Sequence, residues 1–459
     1  MAGDIRDTAC IYAWNYPVIN FSRKELRYCC RSAPQKLSDE QIQQGPSIFT
    51  SSKSVVNTRR DLLQGIKNAN CSACWEIEAA GGIGPRTRID SFVDLVRKHS
   101  VWPKLNWDQT AARLQNLTAQ DMDRLANLQA VRNIEISFGN TCDLKCMYCN
   151  HHYSSQWAGE MLAHGELKEH ELAAELPRHS DAAYEDAWWT WFETESGLCA
   201  ESVCFIGGEP LIMDKFYSYS QRIIDFWSAD PAKKHRELSL VTNFNTPARF
   251  YQRFITVCQQ IINAPNIHMD LNVSCESLGA RTEFIRSGSD WQLMTQNIDQ
   301  LFGWLRQHDP ANKITFSLQI AMNALCISDL PRFFAWVIDL QRQHGRTISL
   351  RPNQVVYPDW LNPHILPSEY SCYIDQSLAL LDAETQSTGF PSNFHRYGDW
   401  HSYMKFLADL RNAMVSSSKD SVARQRFAQR LQTLSQRRGL DFVNTFPEMV
   451  PFLELCRQQ

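Results

Sequence analysis

The chain has 459 residues, of which 44% are hydrophobic and 21% charged, and its formal net charge is −4. This composition excludes global disorder, and the balanced charge does not favour stable nucleic-acid binding. The polar amino terminus leads into no apolar signal segment and no run of about 18 apolar residues occurs, so we expect no membrane span and a cytoplasmic location. Fifteen cysteines in a reducing compartment indicate thiolate ligands together with buried structural cysteines.

The predicted elements follow one another in a few long stretches. Residues 1–100 are turn-rich and cysteine-bearing, and residues 101–130 have helical patterns. From residue 133, β-rich runs alternate with longer helical runs, which predicts a parallel sheet covered by helices. Residues 400–459 are helical in pattern, with a polar break at 416–421. The predicted strands are 133–138, 202–206, 237–242, 268–274, 313–321 and 347–356, and the predicted helices between them are 182–195, 214–228, 247–263, 289–308 and 330–344.

Six strand–helix units are too few for a closed eight-stranded barrel. They predict an α/β fold with a partial (β/α)6, TIM-like barrel, a small amino-terminal cysteine-rich module and a helical carboxyl-terminal cover. The predicted domains are 1–100 for the module, 101–132 for a helical linker, 133–357 for the barrel and 358–459 for the carboxyl-terminal extension.

Three cysteines lie in one short loop directly after the first strand of the predicted barrel. Their spacing is Cys142-x3-Cys146-x2-Cys149. Three thiolates can bind one iron–sulfur cubane, and because such cubanes normally take four cysteines, one iron is left for another molecule. The alternative is a zinc knuckle, in which His151 or His152 supplies the fourth ligand that a structural zinc site requires.

A second motif favours the cubane. The strand 202–206 ends in Gly207-Gly208-Glu209-Pro210. Two glycines let the backbone approach a ligand closely, and a carboxylate suits an ammonium group. Alone, this motif is also typical of an ordinary strand-to-helix turn. Because both motifs are present in this order, residues 130–345 resemble the radical S-adenosylmethionine (SAM) superfamily.

The resemblance implies a [4Fe-4S] cluster on Cys142, Cys146 and Cys149 whose open iron binds SAM. It implies reductive cleavage of SAM to a 5′-deoxyadenosyl radical, which then abstracts hydrogen from a substrate. For each SAM-binding residue that the resemblance implies, the alternative is an ordinary structural role as a strand cap, turn residue or surface charge. By the resemblance, the SAM-binding residues are Tyr148, Gly207, Gly208, Glu209, Pro210, Asn243, Ser274, Glu276 and Arg286, with Glu276 standing where the family usually has aspartate.

Five more cysteines lie in the first 90 residues, and Cys71-x2-Cys74 has a spacing typical of metal ligands. These segments resemble the SPASM/twitch group of radical SAM proteins, whose small module binds an auxiliary [4Fe-4S] cluster, often after the barrel rather than before it. The resemblance implies Cys10, Cys29, Cys71 and Cys74 as ligands, with Cys30 as a substitute or neighbour. A zinc ribbon and reduced structural cysteines are the alternatives, because this spacing does not separate zinc from iron–sulfur.

Relatives with auxiliary clusters often modify peptides, so the resemblance implies a peptide or protein side chain as substrate. It also implies an electron donor such as flavodoxin or ferredoxin. Rearrangement or oxidation of a small polar molecule, such as a nucleoside, modified base or sugar, is the second interpretation, and a zinc-stabilised binding protein is the third. The sequence assigns no catalytic residue. Four residues at or after the last strand are candidates to face the substrate: Arg351, Asn353, Gln354 and Tyr357.

Overall fold

A computed structural model describes residues 4–45, 47–79, 89–175, 182–388, 400–416 and 420–458. Eleven strands form within these ranges. They are β1 (Val18–Asn20), β2 (Glu25–Arg27), β3 (Gln35–Lys36), β4 (Asn133–Ser137), β5 (Lys145–Cys146), β6 (Ser202–Ile206), β7 (Arg236–Thr242), β8 (Ile267–Ser274), β9 (Arg286–Ser287), β10 (Ile314–Met322) and β11 (Ile348–Gln354).

Helices account for most of the remaining described chain. They are α1 (Tyr12–Asn15), α2 (Asp39–Gln43), α3 (Ile48–Ser51), α4 (Lys53–Leu63), α5 (Ser72–Ala79), α6 (Ile89–Lys98), α7 (Trp107–Leu114), α8 (Ala119–Ala126), α9 (Ser155–Ala163), α10 (Glu169–Glu175), α11 (Ala182–Trp191), α12 (Asp214–Ser228), α13 (Ala248–Asn263), α14 (Ala280–Ile285), α15 (Trp291–His308), α16 (Leu330–His344), α17 (Ser371–Thr388), α18 (Trp400–Ser416), α19 (Ser421–Arg438), α20 (Phe442–Thr445) and α21 (Val450–Gln458).

Nine strands form one sheet in the order β11-β10-β8-β7-β6-β4-β1-β2-β3, and β5 pairs with β9 in a small antiparallel sheet. The pairs from β11 across to β1 are parallel, whereas β1–β2 and β2–β3 are antiparallel. The six predicted strands correspond to β4, β6, β7, β8, β10 and β11. The predicted α/β fold with a mostly parallel sheet is therefore confirmed.

The two faces of the parallel strands differ in chemistry. On β7, Leu238 and Leu240 are fully buried, as expected where helices cover a parallel sheet. On the neighbouring strand β8, the positions that alternate with the buried apolar residues carry the buried polar groups Asp270 and Asn272. The Asp270 carboxylate on β8 accepts a hydrogen bond from Ser239 Oγ at 3.2 Å and forms an ion pair with Arg351 at 2.8 Å. Arg351, predicted as a substrate-facing candidate, is thus engaged with Asp270.

The amino-terminal residues extend the main sheet. Strand β1 pairs in parallel with β4, so that Val18 lies opposite Glu135, and β2 returns antiparallel to it. The prediction of turn-rich structure over residues 1–100 is wrong in part, because helices α4 and α6 form there. Apolar residues at helical spacing explain α6, since it buries Phe92, Val93 and Val96.

The carboxyl-terminal residues are helical, as predicted. Helix α18 packs beside β11, and α19 packs against α21. Helix α19 begins at the N-cap Asp420 and ends at Gly439, which has a left-handed backbone. Within the described ranges, no helix has both the length and the apolar character needed to cross a membrane.

Candidate functional site

The cysteine triplet, the glycine turn and several strand ends meet in one cavity of about 360 Å³. The cavity lies at the carboxyl edge of the parallel strands, which is the usual place for ligands in α/β folds. The predicted site residues that line it are Cys142, Cys146, Tyr148, Cys149, Gly207, Gly208, Glu209, Asn243, Ser274 and Arg286.

Two predicted SAM contacts stand apart from the cavity lining. Pro210 is buried and begins the 3-10 turn after Glu209. Glu276 is fully buried, and its carboxylate lies 3.6 Å from Arg286 Nη1. Glu276 thus contacts Arg286 without lining the cavity, and it is placed to orient the guanidinium.

The start of helix α9 holds the backbone of the cysteine loop. Ser154 Oγ donates to the Leu144 carbonyl oxygen at 2.6 Å while it also caps the helix. Ser155 Oγ accepts from the Cys142 backbone N–H at 3.2 Å. Trp157 Nε1 donates to the Cys146 carbonyl oxygen at 2.7 Å. The N-cap and two helix residues thus fix three parts of the loop, and no sequence motif predicted this role for them.

The opposite side of the loop is fixed by β9. Cys146 pairs with Arg286 in the β5–β9 ladder. The Arg286 guanidinium donates to the Tyr148 hydroxyl. Arg286 is buried between Tyr148 and Glu276, so its charge lies directly beside the loop that carries Cys146.

The turn at Gly207 and Gly208 places backbone directly at the cavity. Gly207 and Gly208 have φ of +78° and +60°, values that glycine adopts without strain. A Cβ atom on Gly208 would collide with the Thr141 carbonyl oxygen and lie 2.5 Å from Met213 Cε. The turn therefore packs against the residue that precedes Cys142 with no room for a side chain.

We expect Gly208→Ala to destabilise the protein by about 2 to 5 kcal/mol, the sum of a left-handed backbone and an overpacked contact. Gly345→Ala is the matched control, because Gly345 has φ +63° and nothing lies within 4 Å of an added Cβ atom. That control should cost about 1 to 2 kcal/mol from the backbone alone. Urea unfolding of both variants measures the difference, and equal losses would show that the Thr141 contact is not tight.

Glu209 connects the glycine turn to the end of β7. Its buried carboxylate accepts hydrogen bonds from Thr242 Oγ1 at 2.7 Å, from the Asn243 backbone N–H at 2.6 Å and from the Leu211 backbone N–H at 3.0 Å. Burial raises the pKa of Glu209 to about 7. Asn243 Nδ2 in turn donates to Asp143 beside the first cysteine, at 2.7 Å. A buried carboxylate at this cavity is a suitable partner for a ligand cation.

The thiols of the triplet suit a cluster or metal. Burial raises the pKa of Cys142 and Cys146, and raises that of Cys149 to about 12. Such thiols stay protonated at neutral pH unless a bound metal stabilises the thiolates. In the described ranges no three His, Cys, Asp or Glu side chains converge on one point as ligands of a single ion. The thiolates of a cubane need no such convergence, because each binds a different iron.

The two histidines of the zinc alternative lie outside the cavity lining. The rings of His151 and His152 lie 4.0 Å apart, just beyond Cys149 in the chain. In the described structure, neither histidine joins the three thiols as a fourth ligand around one point.

The amino-terminal cysteines lie near the amino ends of the parallel strands, opposite the end that carries the cavity. Strand β2 ends at Arg27, level with Glu135 in the middle of β4, and because β2 runs antiparallel to β4, Cys29 lies farther towards the amino end of β4. Burial raises the pKa of Cys74 to about 11, and the neighbouring Cys29 and Cys10 raise it further. The same two neighbours contribute at Cys71, where burial is again the main cause and the pKa is about 12. Cys10, Cys29, Cys71 and Cys74 are therefore close enough for their charges to interact.

Cys30 has different surroundings. Its side chain is exposed, and the charged group that affects it most is Glu135, with Cys29 next. Glu135 is itself buried on β4 and accepts a hydrogen bond from the Tyr16 hydroxyl at 3.0 Å. Its exposure and the nearby Glu135 charge favour Cys30 as a neighbour of the other four cysteines.

Residues that no motif predicted also line the cavity that contains the cysteine triplet. Gln319 from β10 and Asn353 from β11 contribute amide side chains. Period-two alternation along each strand brings such residues to the cavity face. Asn353 was among the four candidates near the last strand. Of the others, Gln354 donates to Asn362 at 3.2 Å, and Tyr357 is 86% exposed.

No protein-family model and no curated protein matches the chain. Among solved structures, it is similar to SuiB from Streptococcus suis bound to S-adenosylmethionine. The sequence identity is 13% and the TM-score 0.27, over 75% of this chain and 73% of that one. A similarity this low establishes neither a shared fold nor a shared function, so the functional assignment depends on the residues of the site.

Proposed function

We propose that this chain is a radical SAM enzyme, with a [4Fe-4S] cluster on Cys142, Cys146 and Cys149. The observation that carries the proposal is the shared cavity. Residues separated by up to 211 positions, from Cys142 to Asn353, line one space of about 360 Å³ that also contains the glycine turn and Arg286. Three thiols, a close backbone turn, a buried carboxylate and a guanidinium form a donor set that fits a cluster together with an amino-acid-like ligand.

The residues divide the binding between them. Gly207 and Gly208 let the ligand approach the backbone, and Glu209 supplies negative charge for an ammonium group. Arg286 supplies positive charge beside Tyr148. When bound, the cluster and SAM supply the 5′-deoxyadenosyl radical for hydrogen abstraction. The protein residues hold these groups in position at the cavity.

We further propose that Cys10, Cys29, Cys71 and Cys74 bind an auxiliary [4Fe-4S] cluster as part of a twitch-like module. Four thiols can saturate such a cluster, so we assign it electron transfer or support of the fold. Its place at the amino edge of β4, opposite the Cys142 loop, supports electron transfer over direct substrate binding. The proposed divisions are 1–100, 101–132, 133–357 and 358–459, with β1–β3 of the module continuing the sheet of the barrel.

For the substrate we propose a peptide or protein side chain, with flavodoxin or ferredoxin as electron donor in the cytoplasm. One observation favours a small polar molecule as a second candidate. Gln319 and Asn353 present amides to the cavity, and such groups hydrogen-bond to a nucleoside, modified base or sugar. Variants of these two amides should change substrate affinity more than SAM affinity.

Glu209→Gln tests the proposed SAM site. The substitution keeps the size of the side chain but removes its charge, so we expect SAM affinity to fall about tenfold or more, since a charge-assisted hydrogen bond contributes about 1.5–3 kcal/mol. Isothermal titration calorimetry under anaerobic conditions measures this. Asp214→Asn is the control, because Asp214 follows the same turn but is exposed and pairs with Arg253. Unchanged affinity in Glu209→Gln would mean that the motif is only a turn.

A further inference from the structure

The last residue of helix α19 contacts the cysteine loop. Arg438 lies 293 positions after Lys145, and its Nη1 donates to the Lys145 carbonyl oxygen at 2.8 Å. The Arg438 side chain is only 1% exposed. Lys145 directly precedes Cys146, so the carboxyl-terminal region contacts the backbone next to a proposed cluster ligand.

A buried carboxylate completes the contact. Glu160 on α9 accepts from Arg438 Nε at 3.0 Å and from Arg438 Nη2 at 3.1 Å. Lys145 Nζ lies 2.8 Å from Glu160 Oε2, the carboxylate oxygen that also accepts from Arg438 Nε. Bidentate arginine–carboxylate pairs fix orientation as well as charge. Glu160 therefore holds Arg438 and Lys145 in one geometry.

Arg438 also contacts the side chain that holds Cys146. Its guanidinium carbon lies 4.4 Å from the centre of the Trp157 ring, a cation–π distance. Trp157 Nε1 donates to the Cys146 carbonyl oxygen at 2.7 Å. Arg438 thus reaches the Cys146 backbone by two routes, through the Lys145 carbonyl and through the Trp157 ring.

We propose, resting on the function proposed above, that Arg438 is a positioning residue for the cluster. It fixes the Lys145–Cys146 backbone and so sets the place of one thiolate ligand. The carboxyl-terminal extension then supports the cluster-binding loop in addition to covering the barrel. Cluster retention depends on the docking of the final turn of α19.

Arg438→Ala tests this in the Cys71→Ala/Cys74→Ala background, where the triplet is the remaining proposed cluster site. We expect iron to pass to a chelator about tenfold faster than in the background alone, because a charge-assisted hydrogen bond to the loop is lost. The electron paramagnetic resonance (EPR) spectrum of the reduced cluster should also change. Arg438→Lys, which keeps the charge but not the fork, should restore part of the retention.

Arg437→Ala is the matched control. Arg437 is the preceding residue of the same helix, and it pairs with Glu166. It should leave iron release and the EPR spectrum as in the background. Trp157→Phe keeps an aromatic ring but removes the donor to Cys146, so it should reproduce the spectral change even if Arg438→Ala folds poorly.

The outcomes separate the two proposals. If the background protein binds no iron, the proposed cluster on the triplet is wrong and the role of Arg438 is wrong with it. If the background binds iron, and Arg438→Ala releases it at the background rate with an unchanged spectrum, only the positioning role is overturned, whatever the result for Trp157→Phe.

Discussion

Replacing Cys146 by alanine is expected to abolish the formation of 5′-deoxyadenosine from SAM, and Cys142→Ala or Cys149→Ala should do the same. The three thiols line one cavity, and helix α9 and strand β9 hold the loop between them. With two thiolates left, the loop has too few ligands for a cubane. Anaerobically reconstituted protein, dithionite and SAM are incubated without substrate, and 5′-deoxyadenosine is measured by chromatography.

Cys258→Ala is the matched control for these variants. Cys258 on α13 and Cys146 in its loop are both buried, but Cys258 lies away from the cavity lining. Its loss should reduce stability through a small packing defect and leave SAM cleavage intact. Cleavage at the wild-type rate by the triple Cys142/Cys146/Cys149 alanine variant would contradict the assignment of the catalytic cluster.

The second large effect is expected from Cys71→Ala combined with Cys74→Ala. The wild-type protein should approach about eight irons per chain and the double variant about four, one cubane having been lost. We expect the double variant to keep slow, uncoupled SAM cleavage and to lose product formation. SAM cleavage should be kept because the amino-terminal cysteines lie at the opposite end of β4 from the Cys142 loop. Product formation should be lost because the electron transfer proposed for the auxiliary cluster is lost with it.

Iron analysis and 5′-deoxyadenosine measurement on the same samples test this expectation. Cys372→Ala, at an exposed position on α17, is the control for losing a thiol. An iron content near four in the wild type that stays unchanged in the double variant would mean that the amino-terminal cysteines bind no cluster.

The sheet could be predicted from the sequence because it depends on local patterns. Short β-rich runs alternating with amphipathic helices predict parallel strands, and the strand 202–206 and the helix 214–228 have the predicted bounds. Two helix starts were misplaced, and the helix predicted over 289–308 begins at Trp291. Pro247 was predicted as the first helical residue, but it is the N-cap, with ψ at 149°, and the helix begins at Ala248.

The site could be predicted only where a motif is contiguous. The cysteine loop and the glycine turn are both visible in the sequence, and the structure brings them to one cavity. Arg438 was not predicted, because its contact with Lys145 joins residues 293 positions apart. Glu276 was assigned to SAM by the family resemblance, and the structure places its carboxylate 3.6 Å from Arg286 Nη1, outside the residues that line the cavity. Such placements depend on tertiary packing, which no local pattern encodes.

EPR spectroscopy of the reduced Cys71→Ala/Cys74→Ala variant, with and without SAM, tests the central claim most directly. In this variant the triplet is the remaining proposed cluster site, and only a cluster with an open iron can bind SAM as a ligand. We predict a [4Fe-4S] signal whose g values shift when SAM is added. A [4Fe-4S] signal that SAM leaves unchanged, or no cluster signal at all, would contradict the account.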